Sequence, residues 1–419
     1  MSEKDIVVNS DLTEEAIQTC LELISKSKRP LILVGGGLSY ENFESKLPAL
    51  EELGLPIATT WNAADYVDFD SRIFAGRPNT YGMRWANAII QQCDLLIAIG
   101  ARLGLQQTGF NLDSFAPLAR VIRIDIDPGE LQRVIPRTDH KIRCDANVFF
   151  SHFIDSLSFK LKDNFTSWLE FIHEVKELLP VSEDANSLYA DYVNPYRFLE
   201  ELGDSITCDD IVIPCSSGGA YTSVMQAFKQ KRGNLITNNK GLASMGYGLA
   251  GAIGSSVANP NRRVFLIEGD GGFVQNLQEL GTVANRALNL KIFLFDNSGY
   301  ASIRLSQKSY FGGMYLGCDK ETGVELPVWT KLFSSWGIPC FEIKSSLFDQ
   351  PNFLSTLNEP GPAAFILKIH QDQPFLPKIT SKVKADGTIE SNPLHLMAPA
   401  LSFELASRVF RFLPKELQS

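Results

Sequence analysis

Two short oxygen-bearing side chains, Asp270 and Asn297, are the residues whose type and spacing point most directly to chemistry. Each ends an apolar, strand-like run: Arg263–Glu268 (RVFLIE) enters Gly269-Asp270-Gly271-Gly272, and Lys291–Phe295 stops at Asp296-Asn297-Ser298-Gly299. Between them lies a helical stretch with Leu277, Leu280 and Val283 on one face. The separation, 297 − 270 = 27 positions, is about what a strand-to-strand crossover through a helix requires. Strands joined this way lie side by side and present their carboxyl ends, where parallel sheets place ligands. A carboxylate plus an amide carbonyl is a poor cage for a bare cation. It suits Mg²⁺ that keeps other oxygens from a diphosphate and water. Gly271 and Gly272 let the backbone approach such phosphates, and the helix start offers unpaired N–H groups. The plain alternative is a βαβ unit whose Asp and Asn only cap turns.

The elements that must hold these residues alternate along most of the chain. A helix capped by Asp11 or Thr13 carries Ile17, Leu21 and Ile24 on one stripe, and the strand Leu31–Val34 runs into Gly35-Gly36-Gly37. That glycine turn reads either as a nucleotide turn or as tight packing. A helix near Glu41–Leu53, a strand Pro56–Thr60, the glycine-bearing loop Gly76–Asn87 and the strands Asp94–Gly100 and Arg120–Asp127 follow. Such alternation predicts a doubly wound parallel sheet for residues 1–150. Residues 151–190 show amphipathic helical patches without a strand signal and are expected to be a helical linker. A second α/β domain over 191–375 contains the helix Tyr196–Leu202, the strand Asp210–Pro214 and the small-residue stretch Lys240–Gly254. It closes with strands Pro339–Ile343 and Ala363–His370, leaving 376–419 as a C-terminal tail.

GDG, a helix and a strand ending in N-x-G together resemble the diphosphate and Mg²⁺ motif of thiamine-diphosphate (ThDP) enzymes. LILVGGG, DLLIAIGARL and IDIDP occur in the order found in the central domain of the acetolactate-synthase branch. The resemblance implies two α/β domains, central and diphosphate-binding, with Asp270, Asn297 and Gly299 at the metal. It also implies cofactor contacts from Gly269, Gly271, Gly272 and Tyr300, and from Ser216, Ser217, Gly218 and Gly219 in CSSGGA. Met245 falls where the family wedges a large aliphatic residue under the bent cofactor, and the Ala243 carbonyl would accept from its 4′-amino group. Some members hold FAD in the central domain and others bind nothing there, and the sequence leaves that open. Arg304 reads either as a partner for a substrate carboxylate or as a solvated helix residue.

The implied activity is decarboxylation of a 2-keto acid, with or without carboligation, in a lyase or transferase of the acetolactate-synthase type. The family's catalytic glutamate lies in an N-terminal pyrimidine-binding domain, and no Glu here takes that role. The expectation is a chain acting with that domain in trans, or one truncated of it, in a homo-oligomer or with a separate subunit. The alternative is a non-catalytic nucleotide-binding or assembly protein derived from the same domains.

Composition narrows the partners. The net charge is 39 − 48 = −9 with no basic run, which argues against nucleic acid and anionic membranes. Seven cysteines lack CxxC spacing, so neither a zinc site nor a disulfide framework is indicated. A cytoplasmic protein is expected, because no run has the length of a membrane span and the start has no apolar signal core. The scattered histidines, including His370 and His395, are expected to be structural or surface residues.

Overall fold

The computed structural model describes residues 12–133, 138–158, 165–215, 217–347, 351–383 and 389–418. The chain divides into two compact units, Met1–Val181 with Leu376–Ser419, and Ser182–Phe375.

In the first unit, β1 (Pro30–Val34), β2 (Ile57–Thr59), β3 (Leu95–Ile99), β4 (Arg120–Asp125) and β5 (His140–Arg143) form a sheet ordered β2-β1-β3-β4-β5. Every pairing is parallel. Every residue of β1 and β3 is buried, the pattern of strands covered on both faces. The flanking helices start where the sequence offers caps: Thr13 accepts from Ala16 N–H, and Ser39 from Asn42 N–H. Gly54, in the left-handed conformation, ends the second of them. Strand β5 has no counterpart in the sequence expectations, because only Ile142 of its residues is buried and it shows no apolar run.

The stretch expected to be a linker behaves as part of this unit. Helices Ala146–Ser158 and Thr166–Leu178 bury Phe149, Phe150, Phe153, Trp168, Phe171 and Ile172 in its core. The expected tail contributes Leu394, Val409, Phe410 and Leu413 to the same core. It is tied there by Asn87, whose amide donates to the Leu394 carbonyl (2.9 Å), and by Gln92, which donates to that of Val409 (2.8 Å). Amphipathic helices without neighbouring strands look like a bridge in one dimension. Their aromatic stripes still need an apolar partner, and this sheet layer supplies it.

The second unit carries β6 (Ile211–Ile213), β7 (Leu235–Ile236), β8 (Val264–Gly269), β9 (Leu290–Asp296), β10 (Cys340–Ile343) and β11 (Ala363–Lys368). Their order is β10-β11-β9-β8-β6-β7, again parallel throughout. Strands β8 and β9 are adjacent, with Gly269 opposite Phe295, as the 27-residue crossover required. From β6 the chain moves outward to β7. It then returns to β8 on the other side of β6, so the order in which strands are added reverses between β6 and β8. Such a switch point opens a crevice at the carboxyl ends of the two strands.

Two local expectations resolve differently. The helix after the GDGG turn is broken into Asp270–Phe273, a 3-10 stretch Val274–Glu279 and Leu280–Asn285. The helix expected within Lys240–Gly254 begins only at Tyr247, after a turn in which Ala243 (φ 53°) and Gly246 (φ 82°) are left-handed. Among the described residues no helix is long and apolar enough to cross a membrane.

Candidate functional site

Loops following β6, β8 and β9 surround a cavity of about 180 Å³ at the switch point of the second unit. Ser217, Gly218 and Gly219 enter it from β6, Glu268–Gly272 from β8, and Phe295, Asn297, Gly299 and Tyr300 from β9, with Met245 also on the wall. The ten-residue helix Gly218–Ala227 begins at this cavity, with Ser217 at its N-cap and no side-chain cap bond there. Its first N–H groups are therefore available to an anion.

Asp270 is the hub. Its Oδ1 accepts from Gly271 N–H (2.7 Å), and its Oδ2 accepts from the N–H groups of Asn297 and Gly299 (3.0 Å each). Burial, with the nearby Asp296 carboxylate, raises the proton affinity of Asp270, and these three donors oppose that. One terminal atom of the Asn297 amide lies 3.2 Å from Asp270 Oδ1 and 2.9 Å from the Gly299 carbonyl oxygen. With nitrogen at that position the amide donates to both. With oxygen there, three oxygens converge, an arrangement that only a cation makes favourable. Among the described residues no group of three or more His, Cys, Asp or Glu is placed to hold a metal ion. A cation at this triad would accordingly draw on an amide, a backbone carbonyl and oxygens from its ligand.

The glycines are dictated by contact. A Cβ on Gly271 would lie 2.5 Å from the Tyr300 ring, one on Gly272 2.5 Å from Glu268 Oε1, and one on Gly299 2.2 Å from the Cys318 carbonyl oxygen. At Gly269, by contrast, a Cβ would meet nothing within 4 Å. Cys215 (φ 45°), Ala243 (φ 53°) and Ser298 (φ 66°) are non-glycine residues in the left-handed region. All three sit in the loops around this crevice, the kind of place where backbone strain accumulates.

The sequence-predicted residues Ser217, Gly218, Gly219, Met245, Gly269, Asp270, Gly271, Gly272, Asn297, Gly299 and Tyr300 all line the cavity. Ala243 does not line it, although it lies in the turn that carries Met245. Ser216 lies outside the described residues. Arg304 is held by Asp319 and by Asp372, with its guanidinium 4.1 Å from the centroid of Tyr315. It thus clamps the loop 311–323 and is largely shielded, unlike the solvated helix residue of the second reading. His370 is stacked on Tyr189 (centroids 3.6 Å apart), and His395 is buried in the first unit.

Glu268 escaped the sequence reading. It is buried on the cavity floor, burial pushes its carboxyl up to about 8, and Oε1 accepts from Gly269 N–H (3.2 Å). The signal was an acidic residue ending an otherwise apolar strand directly before the glycine turn. In the first unit, Gly35-Gly36-Gly37 is a tight packing turn. A Cβ on Gly35 would fall 2.3 Å from the Gly100 carbonyl oxygen, and Gly37 N–H donates to that same oxygen (3.0 Å).

Residues 17–153 match the family described as thiamine pyrophosphate enzyme, central domain. Residues 217–363 match thiamine pyrophosphate enzyme, C-terminal TPP binding domain. Similar curated proteins include the acetolactate synthase large subunit of Porphyra purpurea, 30% identical over 379 residues, covering 88% of this chain and 62% of that protein. The probable acetolactate synthase large subunit of Methanocaldococcus jannaschii is 33% identical over 340 residues, covering 78% and 55%. The acetolactate synthase isozyme 2 large subunit of Escherichia coli (strain K12) is 30% identical over 364 residues, covering 85% and 62%. The chain thus spans 55–62% of the length of these relatives.

Proposed function

The chain belongs to the thiamine pyrophosphate enzyme family, in its acetolactate synthase-like branch, and from that premise we propose that residues 182–375 hold thiamine diphosphate through Mg²⁺. The observation that carries this reading is the convergence of the Asp270 carboxylate, the Asn297 amide and the Gly299 carbonyl. The Asp270 carboxylate, the Asn297 amide oxygen and the Gly299 carbonyl would hold the ion, which would neutralise the charge of the diphosphate. The N–H groups at the start of Gly218–Ala227 would receive phosphate oxygens, with Gly269 on the facing wall of the cavity. Ser217, Gly271, Gly272 and Tyr300 would complete the contacts, and the Ala243 carbonyl, from the turn that carries Met245, would accept from the cofactor's amino group.

A cavity of 180 Å³ is smaller than a complete small-molecule site, roughly 300–1,000 Å³. Its size suits the diphosphate and its ion, and the organic rings would lie beyond it, on the side of Met245. We therefore propose that a pyrimidine-binding domain, from a further segment or another polypeptide, encloses the rings and brings the glutamate that activates them. When bound, the cofactor supplies an electron sink for decarboxylating a 2-keto acid. What this chain's residues would do is anchor the charge and fix the rim at Met245. With it we propose assembly as a homo-oligomer or with a pyrimidine-domain partner, and action as a lyase or transferase in the cytoplasm.

The test is thermal unfolding with and without ThDP plus Mg²⁺. Ligand at one hundred times its Kd stabilises by about 2.7 kcal/mol. The transition of the unit that holds the site should rise, and Asp270→Ala should abolish the rise. An unchanged wild-type curve, or a full shift in Asp270→Ala, sinks the proposal and leaves the non-catalytic reading of these domains.

A further inference from the structure

The segment that follows the GDGG turn breaks its own helix at Asn276, which adopts φ −137° and ψ 31°. Leaving helical dihedrals forfeits ladder bonds, so the break needs compensation from elsewhere. Asn276 Nδ2 donates to the Gly246 carbonyl at 2.7 Å, while its Oδ1 accepts from Gln278 Nε2 at 3.1 Å. The second bond fixes which end of the amide faces Gly246. Gly246 is left-handed, and a Cβ there would fall 2.9 Å from Gln275 Cβ and 3.0 Å from Asn276 Nδ2. Met245 rides on this turn between Ala243 and Gly246, half exposed at the rim of the cavity. One residue before Asn276, Gln275 Nε2 donates to the Tyr300 hydroxyl at 3.0 Å.

We infer that Asn276 is a positioning residue: by gripping the Gly246 carbonyl it fixes the Met245 side chain where the organic half of the bound cofactor passes the rim. The inference rests on the cofactor reading above. It assigns Asn276 no contact with the ion or the diphosphate, whose partners lie at the ends of β8 and β9 and at the start of Gly218–Ala227. The same grip explains why the helix breaks at this residue, since an unbroken turn would carry the Asn276 amide away from Gly246.

The experiment is calorimetric titration of the full chain with two probes, Mg²⁺ plus thiamine diphosphate and Mg²⁺ plus inorganic pyrophosphate. Asn276→Asp keeps the side-chain shape and sets an oxygen against the Gly246 carbonyl. Thiamine diphosphate affinity should fall about tenfold or more, while pyrophosphate affinity stays within about twofold, because only the former feels the rim. Gly246→Ala, which disturbs the same contact from the other side, should give the same split, and Asn276→Ala substitutes if the aspartate variant does not fold. Equal losses for both probes, or an unchanged thiamine diphosphate affinity, overturns the inference. A wild-type chain that binds no thiamine diphosphate rejects the cofactor reading itself, which is a different result.

Discussion

At the residue scale, His395 shows burial and protonation in direct opposition. Its Nε2 lies 2.6 Å from the Leu417 carbonyl oxygen, Gln91 Nε2 sits 3.3 Å from Nδ1, and Phe410 meets the ring edge to face. Burial lowers its pKa to about 4 from the ordinary 6.5, so the folded state keeps it neutral where the unfolded chain takes up a proton. Stability from this group is fully present above about 6.5 and is lost progressively as pH falls towards 4, by a few kcal/mol at most. His395→Gln should flatten that part of the profile. Denaturant midpoints of wild type and variant at several pH values would show it, and parallel profiles would remove His395 as the cause. The cradle glycines make a second prediction. Gly272→Ala drives a methyl to within 2.5 Å of the Glu268 carboxylate and Gly271→Ala one onto the Tyr300 ring. Each should cost roughly 1–3 kcal/mol as an overpacking change, measurable by urea unfolding.

At the element scale, the loop 311–323 hangs from the carboxyl end of β9. Tyr300 N–H donates to the Cys318 carbonyl (2.8 Å), Gly299 bridges Asp319, and Asp319 caps the short 3-10 turn Lys320–Thr322. Arg304, on the helix Ala301–Tyr310, ties the loop through Asp319 and reaches Asp372. Because these side chains are largely shielded, the pairs should count for more than an exposed ion pair, about 1–3 kcal/mol together. Arg304→Met should leave β8 and β9 protected and raise hydrogen exchange across 311–323. Uniform protection in both proteins would mean that the backbone bridges hold the loop unaided. The break at Asn276 belongs to this scale as well: propensity favours one helix after GDGG, and a tertiary bond to Gly246 overrides it.

At the scale of the whole molecule, each of the two units has a parallel sheet and a core of its own. Calorimetry of the full chain should therefore resolve two transitions, of which ThDP plus Mg²⁺ moves one, by roughly 5–10 °C at saturating ligand. Hydrogen exchange assigns the moved transition to residues 182–375, and equal shifts in both would contradict a site confined to that unit. The parallel α/β class, the adjacency of β8 and β9, and the cavity residues Asp270, Asn297 and Gly299 were legible in the chain itself. Buried parallel strands are near-continuous apolar runs, and strand-end loops carry glycine and short polar side chains, so both leave marks in one dimension. Tertiary structure alone decided that Phe149, Phe153, Trp168 and Phe171, with Leu394, Val409 and Phe410, belong to the first core, that Arg304 serves two aspartates, and that Glu268 lines the cradle. Each of these depends on which distant surface or charge a side chain meets, and chain spacing does not encode that meeting.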